Sequence, residues 1–326
     1  LGLEHDGEGR VVVDVHSLDG IHDEEGAHPR MLDQSGGRAS PLLREASASY
    51  LQPMGIRFWK YHGLGNHFVL VDRRGGPDFT PAFTRAVCDR HTGVGADGIL
   101  ALLDGPSGLP QMRVFNSDGS VADMCGNGLR CFVAWAIDVM GFPAEPFVVA
   151  TDAGPQHCEP RLSGGRVVEV RIDLGPPRFE AEATVALGEQ RFVGVPASVG
   201  NPHFVMLRPV DVSEAERFGY DLSVHPRFPR GANIEWLEPT SRHAADLVVW
   251  ERGCGLTRAC GTGGGASAAV GVHLGLFDAD APIVLRLPGG VLTYEVAADF
   301  SSLHMTGPAE AVFHGELGFS EKGEVT

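Results

Sequence analysis

Met124-Cys125-Gly126-Asn127-Gly128 and Ala259-Cys260-Gly261-Thr262-Gly263 present a cysteine twice in matching surroundings, 135 residues apart, each at what reads as a helix start. The same offset carries Asn66 of Gly65-Asn66-His67-Phe68 onto Asn201 of Gly200-Asn201-Pro202-His203-Phe204, and Asn116 onto Glu251. Three separated features with one offset mark two copies of a single structural unit. The other four cysteines do not answer one another: the offset sets Cys131 against Ala266, Cys254 against Gly119, Cys88 against Ser223 and Cys158 against Thr293. One thiol from each half is therefore the candidate reactive pair.

Outward from these segments, β-like runs bounded by Gly and Pro recur at His67 to Asp72, Met112 to Asn116, Pro146 to Thr151, Val167 to Leu174, Pro202 to Leu207, Ala244 to Trp250, Ile283 to Leu287 and Val291 to Val296. Two helices are predicted among them, from about Asn127 to Met140 and from about Gly264 to Leu274. The second has no polar face, and a helix apolar all round has to be buried. The pattern predicts an α+β fold of two pseudo-symmetric domains, each a curved sheet or barrel around a central helix, with the active site in the cleft between them. Residues 1–56 carry ten acidic against four basic residues and one short apolar run, Val11-Val12-Val13, and read as a disordered or non-native extension. Met54 would make a natural initiator.

With 326 residues, 43% of them hydrophobic, the chain can bury real cores. The net charge of −16, without a basic run, speaks against nucleic acid and anionic membrane surfaces as partners. No apolar stretch approaches the roughly 18 residues of a membrane span, and a cytoplasmic protein is expected. Six cysteines in a chain this size argue for reduced thiols, and the two Cys-x5-Cys spacings do not match structural zinc sites, so no metal is expected. Lys60 and Lys322 are the only lysines, and neither setting suggests a Schiff base, which weighs against pyridoxal phosphate.

A thiol at a helix N-terminus meets unpaired N–H groups and the positive end of the helix dipole, which should lower its pKa and make it a usable base. The same N–H donors can hold a carboxylate. Two facing thiols then suit removal of a proton from a carbon next to a carboxylate and delivery of another to the opposite face, inverting the centre. The bland alternative, two ordinary buried cysteines, is weakened by the repeat match and the flanking glycines. His203 and Glu251 stand close to the matched features and could tune a thiol, although an isolated His or Glu is more often solvated. Arg252 could grip a second carboxylate bidentately, against a surface salt bridge as the plain reading.

Taken together, Tyr61-His62-Gly63-Leu64-Gly65-Asn66, Asp89-Arg90-His91, Gly93-Val94-Gly95-Ala96-Asp97-Gly98, Phe115-Asn116-Ser117-Asp118-Gly119, the Cys125 block through Arg130-Cys131-Phe132, Gly200-Asn201-Pro202-His203, Glu251-Arg252-Gly253, the Cys260 block and Met305-Thr306-Gly307-Pro308-Ala309 resemble the diaminopimelate epimerase family over about residues 57 to 317. The resemblance implies a cofactor-independent isomerase, free of pyridoxal phosphate, that interconverts LL- and meso-2,6-diaminopimelate for lysine and peptidoglycan precursors. It implies a homodimer, which the sequence by itself leaves open. It implies domain one at 57–172 plus 305–320 and domain two at 173–304. Carried over by position, Cys125 and Cys260 are the acid/base thiols and His203 and Glu251 adjust them. Asn66, Asn116, Asn201, Asn233, Glu251 and Arg252 contact substrate, while Gly126, Asn127, Gly261 and Thr262 offer donors to the reacting carboxylate.

The sequence departs from the family pattern at Gly98, where Gln is common, at His67, where Asp is common, and at Cys254, an extra thiol. The nearest rival is a proline or hydroxyproline racemase, similar in fold and also built on two thiols. Arg252 discriminates, because a second cation has little to do for a substrate without a distal carboxylate. From another class, a non-catalytic metal- or ligand-binding protein would show stoichiometric zinc and no α-proton exchange.

Overall fold

The computed structural model describes residues 3–5, 11–13 and 55–318. These fall into two compact units, one holding the described parts of Leu1–Phe58 and Phe313–Thr326, the other Trp59–Val312. In the first, β1 (Leu3–His5) and β2 (Val11–Val13) pair antiparallel, and Val11 and Val12 run parallel to Phe313 and His314. The remainder of the expected N-terminal extension, residues 1–56, lies outside the described residues apart from Gly55 and Ile56.

The second unit holds the repeat apart from Ile56–Phe58, the first residues of β3. Its first half runs through β3 (Ile56–Gly63), β4 (Asn66–Asp72), α1 (Pro81–Cys88), β5 (Gly98–Asp104), β6 (Pro110–Asn116), β7 (Val121–Ala122), α2 (Gly126–Asp138), β8 (Phe147–Thr151), β9 (Gly154–Ser163) and β10 (Arg166–Asp173). After β11 (Arg178–Phe179) and β12 (Ala183–Leu187), the second half repeats the order as β13 (Gln190–Ser198), β14 (Pro202–Leu207), α3 (Val212–Ser223), β15 (Asn233–Ser241), β16 (Ala244–Glu251), β17 (Gly255–Thr257), α4 (Gly261–His273), β18 (Ile283–Leu287), β19 (Gly290–Val296) and β20 (Leu303–Pro308). The chain then enters β21 (Glu310–Leu317).

Strand registers repeat as well as element order. β4 runs parallel to β5 with Phe68 opposite Gly98, and β14 runs parallel to β15 with His203 opposite Asn233. β6 is parallel to β8 and β16 to β18, each pair being the floor on which the following hairpin builds. β20 hydrogen-bonds β10 on one side and β19 on the other, joining the halves into one sheet. This is the α+β architecture of two matching halves around two central helices.

The central helices are buried, α4 because its sequence leaves no polar face. In α2, Leu129 through Ala136 are all buried, Arg130 among them. In α4 the chain uses Gly, Ala and Val, and its glycines are spatial requirements: a Cβ at Gly264 would fall 2.2 Å from the Tyr294 hydroxyl, and one at Gly271 2.1 Å from the Phe277 ring. Each such glycine costs up to about 1 kcal/mol of helix propensity, offset by close packing on Tyr294 and Phe277.

Strand ends matched expectation within a residue or two, but α4 starts at Gly261, three residues before the predicted Gly264. Glycine-rich starts hide a helix, and here Cys260 caps it. Two helices were not anticipated. α1 is capped by the Thr80 hydroxyl, which accepts from the Phe83 N–H, with Pro81 following, and α3 is capped by Asp211.

Candidate active site

Both helices begin on a cysteine in extended conformation, Cys125 at φ −141° and ψ 115° and Cys260 at φ −126° and ψ 113°. The two environments differ in polarity. Cys260 Sγ accepts from the Gly263 N–H at 3.3 Å and has the Thr262 hydroxyl at 3.7 Å. Cys125 Sγ instead lies 4.0 Å from the Asn66 Oδ1 acceptor.

The helix starts meet. A Cβ on Gly126 would touch the Met305 methyl at 3.3 Å, and one on Gly261 would lie 2.9 Å from the Met305 sulfur. Asn127 crosses between halves, its Nδ2 donating to the Ala259 carbonyl at 3.1 Å and to Asn66 Oδ1 at 3.3 Å. Tyr294 donates its hydroxyl to the Gly261 carbonyl at 2.8 Å, tying the first residue of α4 to β19.

The remaining sequence-predicted residues fall into groups. Asn201 donates to the Thr262 hydroxyl at 3.3 Å, and its Oδ1 lies 2.9 Å from His203 Nε2. The His203 Nδ1 is 2.6 Å from Glu235 Oε1, so both ring nitrogens are engaged before either reaches a thiol. Glu251 lies against Cys260 and accepts from the Thr257 hydroxyl at 2.6 Å. Asn233 Oδ1 accepts from the Arg252 backbone N–H at 2.8 Å, while the exposed Arg252 guanidinium donates to the Arg230 carbonyl. Asn116 donates to the Ser120 hydroxyl across its own turn at 2.9 Å.

The electrostatics correct one expectation. The helix-start thiols should be acidified, and the N–H groups of Gly128 and Asn127 do favour the Cys125 thiolate, as that of Gly263 does for Cys260. Burial is the larger effect. It pushes the Cys125 thiol up to about 11, with Glu251 adding to the rise, and lifts Cys260 well above its ordinary value, with Glu251 and Glu235 contributing. The carboxyls of Glu251 and Glu235 are raised by burial too. Dipole arguments from sequence carry no measure of desolvation, which is why the sign came out reversed.

Several supporting residues had no assigned role from sequence. Glu235 sits in the apolar run Ile234-Glu235-Trp236-Leu237, and a carboxylate in a buried strand was the available signal. Asp97 accepts from Asn66 Nδ2 at 2.9 Å and from the His67 N–H at 2.8 Å. Arg130 and Tyr294 had no such signal. At Gly98 a Cβ would lie 2.6 Å from the Phe115 carbonyl oxygen, so this backbone accepts no side chain there. His67 Nδ1 is buried without a hydrogen-bond partner among the described residues, and Cys254 is exposed.

Comparison with known proteins places these features among relatives. A sequence model of the family described as "Diaminopimelate epimerase" matches residues 58–180 and 195–312. A diaminopimelate epimerase of Nostoc punctiforme is 40% identical over 285 residues, covering 81% of this chain and 100% of the relative. That of Desulforudis audaxviator is 41% identical over 278 residues, covering 80% and 99%. A hydroxyproline epimerase of Agrobacterium vitis, solved with bound trans-4-hydroxy-L-proline, superposes with a TM-score of 0.64 at 15% identity, covering 82% of this chain and 94% of that one, a likeness of fold.

Proposed function

The chain belongs to the diaminopimelate epimerase family, and from that premise we propose that it interconverts LL- and meso-2,6-diaminopimelate with Cys125 and Cys260 as paired acid and base. As a member it is an isomerase. One observation carries the reading: two cysteines cap helices at matching points of the repeat, and those helix starts meet at Met305 with Asn127 reaching across to the Ala259 carbonyl.

The α-carbon of the substrate carries a carboxylate, and removing its proton leaves charge that the carboxylate must absorb. N–H groups at Gly126, Asn127, Gly261 and Thr262, where two helix dipoles converge, would hold that carboxylate as the charge grows. One cysteine, as thiolate, takes the α-proton from one face. The other, as thiol, gives its proton to the opposite face, and the pair ends with its protonation exchanged, ready for the reverse reaction. Burial makes the thiolate scarce but strongly basic, as abstraction from carbon requires.

Glu251, beside Cys260, and the His203–Glu235 pair behind Asn201 are the charges that adjust this half of the site. Asn66, Asn116, Asn201 and Asn233 supply amides to the substrate's polar ends, and Arg252 takes the distal carboxylate. The working halves are 57–172 with 305–320, and 173–304. Two thiols that must stay reduced suit the cytoplasm. A homodimer completes the proposal, to be read by light scattering.

Incubation with LL-diaminopimelate in heavy water should place deuterium at the α-carbon of the product. Cys125→Ala and Cys260→Ala should each lower epimerisation by about 10²- to 10⁴-fold. Near-normal activity in either variant refutes the assignment, and turnover of proline without diaminopimelate transfers the chain to the racemase branch.

A further inference from the structure

Arg130 has 0% of its surface exposed, and its hydrogen bonds go to neutral groups: Nε to the Pro308 carbonyl at 3.1 Å, Nη1 to the Met305 sulfur at 3.6 Å, Nη2 to Asn127 Oδ1 at 3.0 Å. Burying a guanidinium among neutral acceptors is costly, and burial lowers its pKa. The fold nevertheless makes room for it. A Cβ at Gly63 would lie 2.9 Å from Nη2, and one at Gly307 3.0 Å from Nε, so β3 and β20 both carry glycine where the guanidinium lies.

We propose that Arg130 is a positioning residue that sets the polarity of the Asn127–Asn66 amide pair and supplies the buried positive charge facing Cys125. The proposal deepens the functional reading above and rests on it for the role of Cys125. A guanidinium only donates, so Asn127 turns Oδ1 toward it and is left with Nδ2 for the Ala259 carbonyl and Asn66 Oδ1. At the other end the Asp97 carboxylate only accepts, so Asn66 gives it Nδ2 and turns Oδ1 toward Asn127 and Cys125. A cation at one end and an anion at the other thus fix both amides, and reversing either would set donor against donor. Arg90 pairs with the far oxygen of Asp97 and holds that anion in place.

The charges around Cys125 are Arg130, which favours its thiolate, and Glu251, which opposes it; Cys131 and Tyr294 also face Arg130. Around Cys260 the strongest charges are Glu251 and Glu235, both of which oppose its thiolate. Removing the Arg130 charge should therefore be felt at Cys125 and not at Cys260.

The test alkylates both cysteines with iodoacetamide at pH 9 and follows each by peptide mass spectrometry, alongside turnover and thermal unfolding. In Arg130→Met, Cys125 alkylation should slow by at least about threefold with Cys260 unchanged. Turnover should fall by at least about tenfold. An unchanged Cys125 rate, or both cysteines slowing together, overturns the proposal. If Arg130→Met does not fold, Arg130→Lys decides, because it keeps a donor and loses the planar fork. It should turn over at least about tenfold more slowly than the wild type, and wild-type turnover overturns the proposal. Should the wild type fail to exchange the α-proton of diaminopimelate, the functional reading falls, and the Cys125 alkylation rate alone decides the role of Arg130.

Discussion

Gly264→Ala tests whether α4, and with it Cys260, is held by contact with β19. An added Cβ would stand 2.2 Å from the Tyr294 hydroxyl oxygen, 2.6 Å from Cζ and 2.8 Å from Cε2. Tyr294 is fully buried and cannot swing into solvent, so either the ring or the helix must shift. Overpacking of this kind costs about 1–3 kcal/mol. Displacing the hydroxyl also removes its bond to the Gly261 carbonyl, worth about 1 kcal/mol. Against this, alanine gains up to about 1 kcal/mol of helix propensity. The balance is a loss of about 1–3 kcal/mol, read as a lower denaturation midpoint at unchanged slope. In a Tyr294→Leu background the clash is gone, and the same substitution should cost little, a coupling of about 0.5–3 kcal/mol in a double-mutant cycle. Equal cost in both backgrounds would refute the packing argument.

Alkylation of Cys125 should speed up about tenfold per pH unit from pH 7 to 10, because only the thiolate reacts and burial holds the thiol pKa near 11. A plateau below pH 9 would mean that the helix dipole outweighs burial after all. Arg252→Gln should raise the KM for diaminopimelate by at least about tenfold with a smaller effect on kcat, since a bidentate grip on the distal carboxylate is lost; an unchanged KM removes Arg252 from substrate recognition. Gly98→Ala, whose Cβ would press on the Phe115 carbonyl at 2.6 Å, should destabilise the protein by at least about 1 kcal/mol in the same denaturation assay, and a neutral effect would show that β5 and β6 can part there.

The repeat was legible because the offset of 135 survives wherever backbone pairing is tight. It carries Gly98 onto Asn233 and Asn116 onto Glu251, and these residues occupy matching places in paired strands. The expected strands of alternating or continuous apolar residues were legible for the same reason, whereas β5, apolar from Ile99 to Leu103, and β15 were not anticipated. The helices α1 and α3 were missed although Thr80-Pro81 and Asp211 are usable caps, since each helix buries only a narrow face. The supporting network of the site stayed hidden. His203 and Glu235 meet only through the parallel register of β14 and β15, and Arg130 reaches Met305 and Pro308 from 175 and 178 residues away. Thiol acidity was misread because sequence gives a helix start its donors and says nothing of how much water the fold removes.

β20 has a consequence for attempts to take the protein apart. Because this strand donates and accepts on both flanks, to β10 and to β19, the duplicated chain no longer consists of two interchangeable modules. A fragment ending at Asp173 would display β10 with a bare row of amides and carbonyls, an invitation to stick to its own kind. The complementary fragment would keep β20 but leave one flank vacant. The late strand thus makes each half depend on the other for a fully paired sheet.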